Sequence, residues 1–574
     1  MERKKFVQLF AAGSGAAVYG SFRTFPDIFN NPHNADERSI KEADGLSADV
    51  VVAGGGLGGC ASALSALRNN LKVILTEETD WPGGQLSQQG VPPDEHQWIE
   101  THGSTQLYRN LRTQIRQYYI RNYPLTESAR TNRFLNPGDG SVSRLCHEPR
   151  VAAAVLNELM APYISSRSLI LLTNHKVISA DTERNRVRSL QAISLLSGKE
   201  ITLSAPWFID ATEMGDLLPL TGTEYVTGTE SVKDTGELHA PEKADPENNQ
   251  SFTVCFAMDY IDGEDHTIDK PGEYDFWKNH TPPLTPPWSG KLLDLRYSTP
   301  ATLVPKDLAF NPSGADTSPL LNLWNYRRII NRNNFLPGTY RGDITVVNWP
   351  QNDYMLGNII TDDSEVFRKH VNRAKQLSLS LLYWLQTEAP RPDKGYGWKG
   401  LRLRRDIMDT EDGLAKYPYI RESRRIKPLF RILEEHVGKE NRSMVTGIKE
   451  NIKAAEFYDS IGIGYYHIDL HPSCKGDNYI DFPSLPFQIP LGALIPERVE
   501  NLIPANKNIG TTHITNGCYR LHPVEWCIGE SAGSLIAFSS EKKVLPRNVR
   551  ENSRLLEEFR KMIRSQGIET EWPE

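Results

Sequence analysis

Residues 48–77 read ADVVVAGGGLGGCASALSALRNNLKVILTE. The apolar run at 48–53 has the character of a strand buried on both faces. Gly54, Gly56 and Gly59 follow at once in GxGxxG spacing. Residues 60–68 predict a helix, Asn69-Asn70 a turn, and 71–76 a second strand ending at Glu77. Together they form a βαβ unit. In this setting each glycine has a task. Gly54 permits the tight turn, Gly56 lets the backbone approach a pyrophosphate, and Gly59 lets helix and strand pack closely. The helix N-terminus stabilises the phosphate charge, and Glu77, 23 residues after Gly54, can accept both hydroxyls of a ribose.

Outward from this unit the chain is ordinary in composition. It has 574 residues, of which 39% are hydrophobic and 24% charged, so wholesale disorder is excluded. Net charge is −7, from 65 basic and 72 acidic residues, and neither sign clusters, which speaks against a nucleic-acid partner. No apolar run is long enough to span a membrane. The six cysteines form no CxxC pair, so neither a disulfide framework nor a zinc ribbon is expected.

The chain opens MERKKFVQLFAAGSGAAVYGSF. Arg3, Lys4 and Lys5 precede a short Ala- and Gly-rich apolar stretch, the outline of an export signal. It resembles a twin-arginine signal with lysine in the second arginine position, which implies an exported, periplasmic protein; a cytoplasmic location with a packed N-terminal helix is the alternative. Residues 21–47 read as a spacer.

Helices are predicted at 105–122, 149–161 and 364–387, the last ended by Pro390, and short strands between 169 and 209. Residues 231–350, rich in Pro, Asp and Trp, look like a cap. The expected organisation is a leader and spacer at 1–47, a nucleotide-binding part at 48–230, a substrate or cap domain at 231–484, and a return to the nucleotide-binding domain at 485–574.

The loop Asp80-Trp81-Pro82-Gly83-Gly84-Gln85 decides which dinucleotide is expected. A Gly-Gly pair soon after the acidic residue is usual in flavoproteins with the glutathione-reductase type of FAD domain. The strands at 169–203, expected to be antiparallel, and the strand ending Asp210-Ala211-Thr212-Glu213-Met214-Gly215 resemble the meander and third nucleotide-contacting strand of those proteins. A strand and loop at 501–510 and a helix at 526–538 follow, the helix directing its positive end to the flavin. The segments FQIPLGALIPERVENLIPANKNIG and HITNGCYRLHPVEWCIGESAG, between 487 and 533, resemble a bacterial family of FAD-dependent oxidoreductases. So do VVVAGGGLGGCASA, ATEMGDLLPLTG, VNWPQNDY, LSLLYWLQTEAP and KYPYIRESRRI, which extends the likeness from about 48 to 560. Many members carry only that generic name and some are labelled xanthan lyase. Where the family more often has Ala-Gly-Arg, this chain has Ala505-Asn506-Lys507. The resemblance implies bound FAD and names no substrate. The fold expected is therefore α/β: a glutathione-reductase-type Rossmann FAD domain with an inserted mixed α+β cap. The expected cofactor contacts are Gly54, Gly56, Leu57, Gly58, Gly59 and Glu77, then Gly84, Gln85, Ala211, Gly215, Asn508 and Glu525.

No second GxGxxG follows a strand, so a built-in nicotinamide domain is not expected. Cys518 and Cys527 read as buried thiols. Oxidation of a small molecule by FAD is then expected, with reoxidation by oxygen or a diffusible acceptor. That chemistry needs a base near the departing proton. His513 and His522, flanking Asn516-Gly517 at an expected sharp turn, are the first candidates; His522 is favoured because it starts a helix, where the dipole favours neutral imidazole. Arg520 between them suits an anionic substrate or the flavin. His467, Asp469 and His471 would share one face of a strand and line a polar pocket, though such a trio can also ligate a metal; no metal is expected. Asp94-Glu95-His96 and the arginines of 421–425 are weaker candidates, with surface salt bridges the plainer reading of those arginines. The tryptophans at 277, 288, 324, 349 and 398 suit core packing or stacking on sugars. The expected reaction is oxidation of a CH–OH group, in preference to CH–NH, by hydride transfer to flavin N5. The alternatives are a lyase or isomerase using flavin transiently, and an exported flavoprotein without catalysis.

Overall fold

In the computed structural model, residues 45–315 and 317–573 are described, so the expected export signal falls outside them. A short strand β1 (Gly45–Ser47) leads into β2 (Val50–Ala53), helix α1 (Leu57–Arg68) and β3 (Val73–Glu77). Helices α2 (Gln106–Asn122) and α3 (Pro149–Ser165) follow, then β4 (Leu169–Thr173), β5 (His175–Glu183), β6 (Arg186–Ser194), β7 (Glu200–Ser204) and β8 (Trp207–Asp210). The next part carries β9 (Phe256–Tyr260), β10 (Arg328–Ile330), β11 (Ile344–Val347), α4 (Ser364–Thr387) and β12 (Leu401–Leu403). The chain continues with β13 (Ile468–Leu470), β14 (Ile480–Phe482), β15 (Leu502–Pro504), α5 (His513–Tyr519) and α6 (His522–Lys542).

The central sheet has the order β15-β8-β2-β3-β4, and every pairing in it is parallel. Its middle strands are buried on both faces, which is why VVVA lacks alternation. A second sheet, β1-β7-β6-β5, lies beside it. The expected meander begins later than the sequence reading placed it. Asn174 takes a left-handed φ of 55°, a conformation asparagine tolerates, and it cuts residues 169–180 into two strands. The first, β4, joins the parallel sheet, and only β5–β7 run antiparallel to their neighbours in the meander.

The cap sheet has the order β10-β11-β9-β12 and is antiparallel. Alternation along β9 gives it two apolar faces. Phe256 and Met258 join a hydrophobic cluster with Leu377, Leu381 and Leu385 of α4. Cys255, preceding β9, and Ala257 join the cluster that includes α1 and the parallel sheet. The antiparallel sheet is thus packed onto the parallel-sheet core, and residues from 45 onward form one compact unit. Helix α4 has the predicted bounds; Asp363 caps it by accepting hydrogen bonds from the amides of Glu365 and Val366.

One expectation near the C-terminus changes. Asn516-Gly517 is not a turn but part of α5, while α6 begins at His522, where a helix start was expected, and extends beyond 526–538 at both ends. Gly517 is required because α5 crosses β13 closely: a Cβ there would lie 3.0 Å from the amide nitrogen of Asp469. The four buried cysteines at 60, 146, 255 and 518, buried Cys527 and partly buried Cys474 are all free thiols. Among the described residues no helix is long and apolar enough to cross a membrane.

Candidate active site

A groove opens at the C-terminal ends of β2, β3 and β8, lined in part by Gly54, Gly56, Thr76, Glu77, Ala211 and Thr212. This is where an open parallel sheet binds ligands. Gly54 has φ of 94°, and a Cβ on it would collide with the backbone at Ala211. A Cβ on Gly56 would come within 2.6 Å of Glu213 Oε1. Glu77 is buried; its Oε2 accepts from the Gly55 amide at 3.1 Å and its Oε1 from the Thr79 amide at 2.8 Å. Burial pushes its carboxyl up to about 8, against the hydrogen bonds from Thr79.

Behind the loop stands a buried charged group. Lys507 Nζ donates to Glu213 Oε2 and lies 3.6 Å from Glu525 Oε2. Glu525 Oε1 accepts from the Gly58 amide at 3.3 Å, and Glu525 Oε2 accepts from Gln85 Nε2 at 2.5 Å. Gln85 Oε1, Glu213 Oε1 and both amide atoms of Gln89 are buried without a partner.

A second cavity, of about 200 Å³, lies beside this region. Two segments join it to the groove. Gln88 lines the groove and Asp94 the cavity; Tyr417 lines the groove and Tyr419 the cavity. On the cavity wall β13 and its flanks present His467, Asp469 and His471, and the link between α5 and α6 presents Arg520. Arg520 donates to Tyr419 Oη at 3.0 Å and to Asp469 Oδ2 at 3.0 Å. His471 Nδ1 is 2.6 Å from Asp353 Oδ2. Asp353 is fully buried and also accepts from Thr253 Oγ1 at 2.6 Å and Arg421 Nη2 at 2.9 Å. Burial would raise its carboxyl, but the charges of Arg421 and His471 outweigh this and hold it low. An ionised Asp353 takes the Nδ1 proton of His471 as a hydrogen bond and leaves Nε2 as the basic nitrogen. His467 is held in the same way by Asp481 at 2.8 Å.

The groove and its link fit FAD. The glycine cradle and Glu77 suit the ADP half, and the unpartnered Gln85 Oε1 and Gln89 amide stand on the segment leading to the cavity. A family model described as FAD dependent oxidoreductase matches residues 49–563. The chain belongs to that family. It is an FAD-dependent oxidoreductase, with FAD as its cofactor. No curated protein matches its sequence. Among solved structures, it is similar to the L-proline dehydrogenase from P. horikoshii, 14% identical over 32% of this chain and 24% of that one, with a TM-score of 0.17. It is similar to the glycerol-3-phosphate dehydrogenase from Bacillus halodurans complexed with FAD, 16% identical over 38% and 42%, with a TM-score of 0.24. A geranylgeranyl bacteriochlorophyll reductase-like protein from Thermoplasma acidophilum is 9% identical over 91% and 85%, with a TM-score of 0.30. The chain spans less than half the length of the two dehydrogenases it matches.

In this oxidoreductase the expected cofactor residues divide into wall and support. Gly54, Gly56, Glu77 and Ala211 line the groove. Leu57, Gly58 and Gly59 open α1. Gly84 and Gln85 form a turn beside the glycine loop, where a Cβ on Gly84 would lie 3.0 Å from Gly56 Cα. Asn508 supports from behind: its Nδ2 donates to the Asp210 carbonyl at 3.0 Å, and Oδ1 accepts from the Asn506 amide at 3.1 Å. Gly215 packs against the Arg424 backbone and Glu525 against α1. Glu78, Gln88, Val177, Glu213 and Tyr417 also line the groove, and the sequence reading had not named them as its walls.

The expected catalytic residues divide as well. His467, His471 and Arg520 stand on the cavity wall; His513 and His522 are not among the residues lining it. His513 Nδ1 is 2.7 Å from Glu422 Oε1, and its amide donates to Glu230 Oε2. Burial lowers its imidazole pKa, yet the Glu422 charge and hydrogen bond outweigh that and raise it. His522 is fully buried and its Nδ1 accepts from the Asp94 amide at 3.0 Å. Its pKa is pushed down to about 4, chiefly by burial. Arg421, Arg424 and Arg425 are buried rather than at the surface; Arg421 reaches the cavity, while Arg425 pairs with Glu230 and Glu422. All five cap tryptophans belong to the cap's hydrophobic cluster, and Trp349 also lines the cavity. Arg327, Tyr466 and Tyr479 on the same wall belong to no spacing pattern; Tyr466 had a signal only as the neighbour of His467. Among the described residues no group of three or more His, Cys, Asp or Glu side chains is arranged to hold a metal ion.

Proposed function

We propose that the second cavity binds a small organic alcohol and that this chain oxidises its CH–OH group. The observation that carries the reading is His471 on the wall of a cavity that shares two chain segments with the cofactor groove, with buried Asp353 behind its imidazole. Bound FAD supplies the acceptor for the hydride. His471 Nε2 takes the hydroxyl proton, and Asp353, held by Arg421 and Thr253, stabilises the imidazolium that forms. Arg520, fixed by Asp469 and Tyr419, orients the substrate oxygen. Oxygen or a diffusible acceptor then restores the enzyme. The base is thereby assigned to His471 rather than to His522 or His513, because neither of those imidazoles lines the cavity: Glu422 holds His513, and the Asp94 amide donates to His522 Nδ1.

The test is anaerobic bleaching of the flavin by a panel of alcohols and amines. An alcohol bleaches it, and His471→Ala retains FAD while slowing reduction by about 10²–10⁴-fold. Bleaching by amines alone, or an undiminished rate in the variant, sinks the assignment.

We also read 48–230 with 485–574 as a glutathione-reductase-type FAD domain and 231–484 as its inserted substrate domain; the parallel sheet shared by β2, β8 and β15 supports this. The Arg3-Lys4-Lys5 leader supports export. Fractionation of the native host then finds a shortened chain outside the cytoplasm; intact chain confined to the cytoplasm contradicts it.

A further inference from the structure

We infer that the substrate held in the second cavity is a neutral, polyhydroxylated ring, a sugar or cyclic polyol. This rests on the cavity being the alcohol site proposed above. Three features of the wall carry it. The first is charge balance. Each cation on the wall already faces a carboxylate: Arg327 lies 3.4 Å from Asp94, Arg421 2.9 Å from Asp353, and Arg520 3.0 Å from Asp469. His467 faces Asp481, and His471 lies between Asp353 and Asp469. A carboxylate substrate meets no unopposed cation here, and an ammonium substrate no unopposed carboxylate. Desolvating such an ion without a counter-charge is costly.

The second feature is hydrogen-bonding capacity that the fold leaves unused. The Nε atoms of Arg327, Arg421 and Arg520, both amide atoms of Asn348, Trp349 Nε1 and Tyr479 Oη are buried without a protein partner. All belong to residues of this wall. Donors outnumber acceptors in that set, while Asp469 and Asp481 offer acceptor oxygens beside them. A hydroxyl both donates and accepts, and it suits a wall that mixes both roles without net charge.

The third is the apolar component. Tyr419, Tyr466, Tyr479, Tyr297 and Trp349 line the same space. Aromatic faces bury the C–H surface of a ring while their polar edges meet its hydroxyls. The cavity, about 200 Å³, accommodates a single ring of this kind.

The experiment titrates oxidised holoenzyme with neutral pentoses, hexoses, disaccharides and myo-inositol. Matched titrations use D-glucuronate, D-galacturonate, cyclohexanol and L-proline, and binding is read from the flavin spectrum and intrinsic fluorescence. The expected result is that a neutral polyol binds at least about tenfold more tightly than the uronate of matching ring, and that the same polyol bleaches the flavin anaerobically. Polyol binding without bleaching keeps the ligand class and defeats the oxidation reading. Bleaching by cyclohexanol or another simple alcohol, with no polyol bound, keeps the oxidation reading and overturns this inference. Tighter binding of the uronates, or no response to any polyol, overturns it too. Tyr479→Phe is a second arm. It removes a hydroxyl with no protein partner, so thermal stability does not fall, while polyol affinity falls by about 3- to 10-fold. Unchanged affinity in both Tyr479→Phe and Trp349→Phe contradicts the inference.

Discussion

In the groove, Gly54, Gly56 and Ala211 bring bare backbone to the surface, and Glu77 and Glu213 stand at or just beyond the ends of the two parallel strands that flank β2. In the second cavity the working atoms are side-chain tips. Arg327, His471 and Arg520 come from three separate segments and are each paired to a carboxylate, Asp94, Asp353 and Asp469 respectively. The first surface is defined by atoms it lacks. The second is defined by how charges are paired. Substitutions that add bulk therefore damage the groove, and substitutions that unpair a charge damage the cavity.

The sharpest way to break this contrast is Gly56→Val. The added carbons enter the space in front of Glu213, and the purified protein is expected to be colourless and not reconstituted by FAD. Flavin content after denaturation checks it; a fully loaded variant removes the cradle argument. His471→Ala is the counterpart in the cavity, expected to leave flavin content intact and cut its reduction as stated above. Asp353→Asn tests charge pairing. It leaves Arg421 buried without its carboxylate, so urea unfolding is expected to show a loss of about 3–5 kcal/mol, with slowed flavin reduction. A variant as stable as wild type shows that Asp353 holds nothing in place.

The smallest effect belongs to His513. Its folded pKa is raised above the ordinary value near 6.5, chiefly by Glu422 working against burial, with Glu230 assisting and Arg425 opposing. A raised histidine contributes stability fully below its unfolded pKa and loses it as pH rises through the folded one. The melting temperature of wild type is expected to decline over that alkaline-going window, and His513→Gln to flatten the decline. Flavin reduction in this variant stays within about tenfold of wild type. A larger loss returns His513 to the chemistry.

The groove was legible because its causes are local. Strand, glycines, helix and acid fall within 30 consecutive residues, and each glycine has a reason visible in the pattern. Glu213 and Gln88 escaped notice because their place on the wall depends on which strand ends meet, and no spacing encodes that. The cavity was half legible. His467, Asp469 and His471 share a wall because a strand runs through them, as alternation predicts. Their partners were not readable: Asp353 and Arg421 meet His471 only through cap packing, with sequence separations of more than a hundred and about fifty residues. His513 and His522 do not line the cavity, because nearness to the flavin-facing helix says nothing about which way an imidazole is held. The Asn516-Gly517 pair misled for a related reason, since this glycine serves the close crossing of α5 over β13.

Helix α6 lies so close to α1 that Cβ atoms on Gly529 and Gly533 would strike the carbonyls of Gly58 and Ser62. With β15 paired to β8, this contact backs the glycine loop with residues near 530. During synthesis the loop waits for almost the whole chain before that support exists, and sequence-distant closure of this kind is slow to form. A chain truncated before β15 carries the entire GxGxxG motif without the strand and helix that brace it.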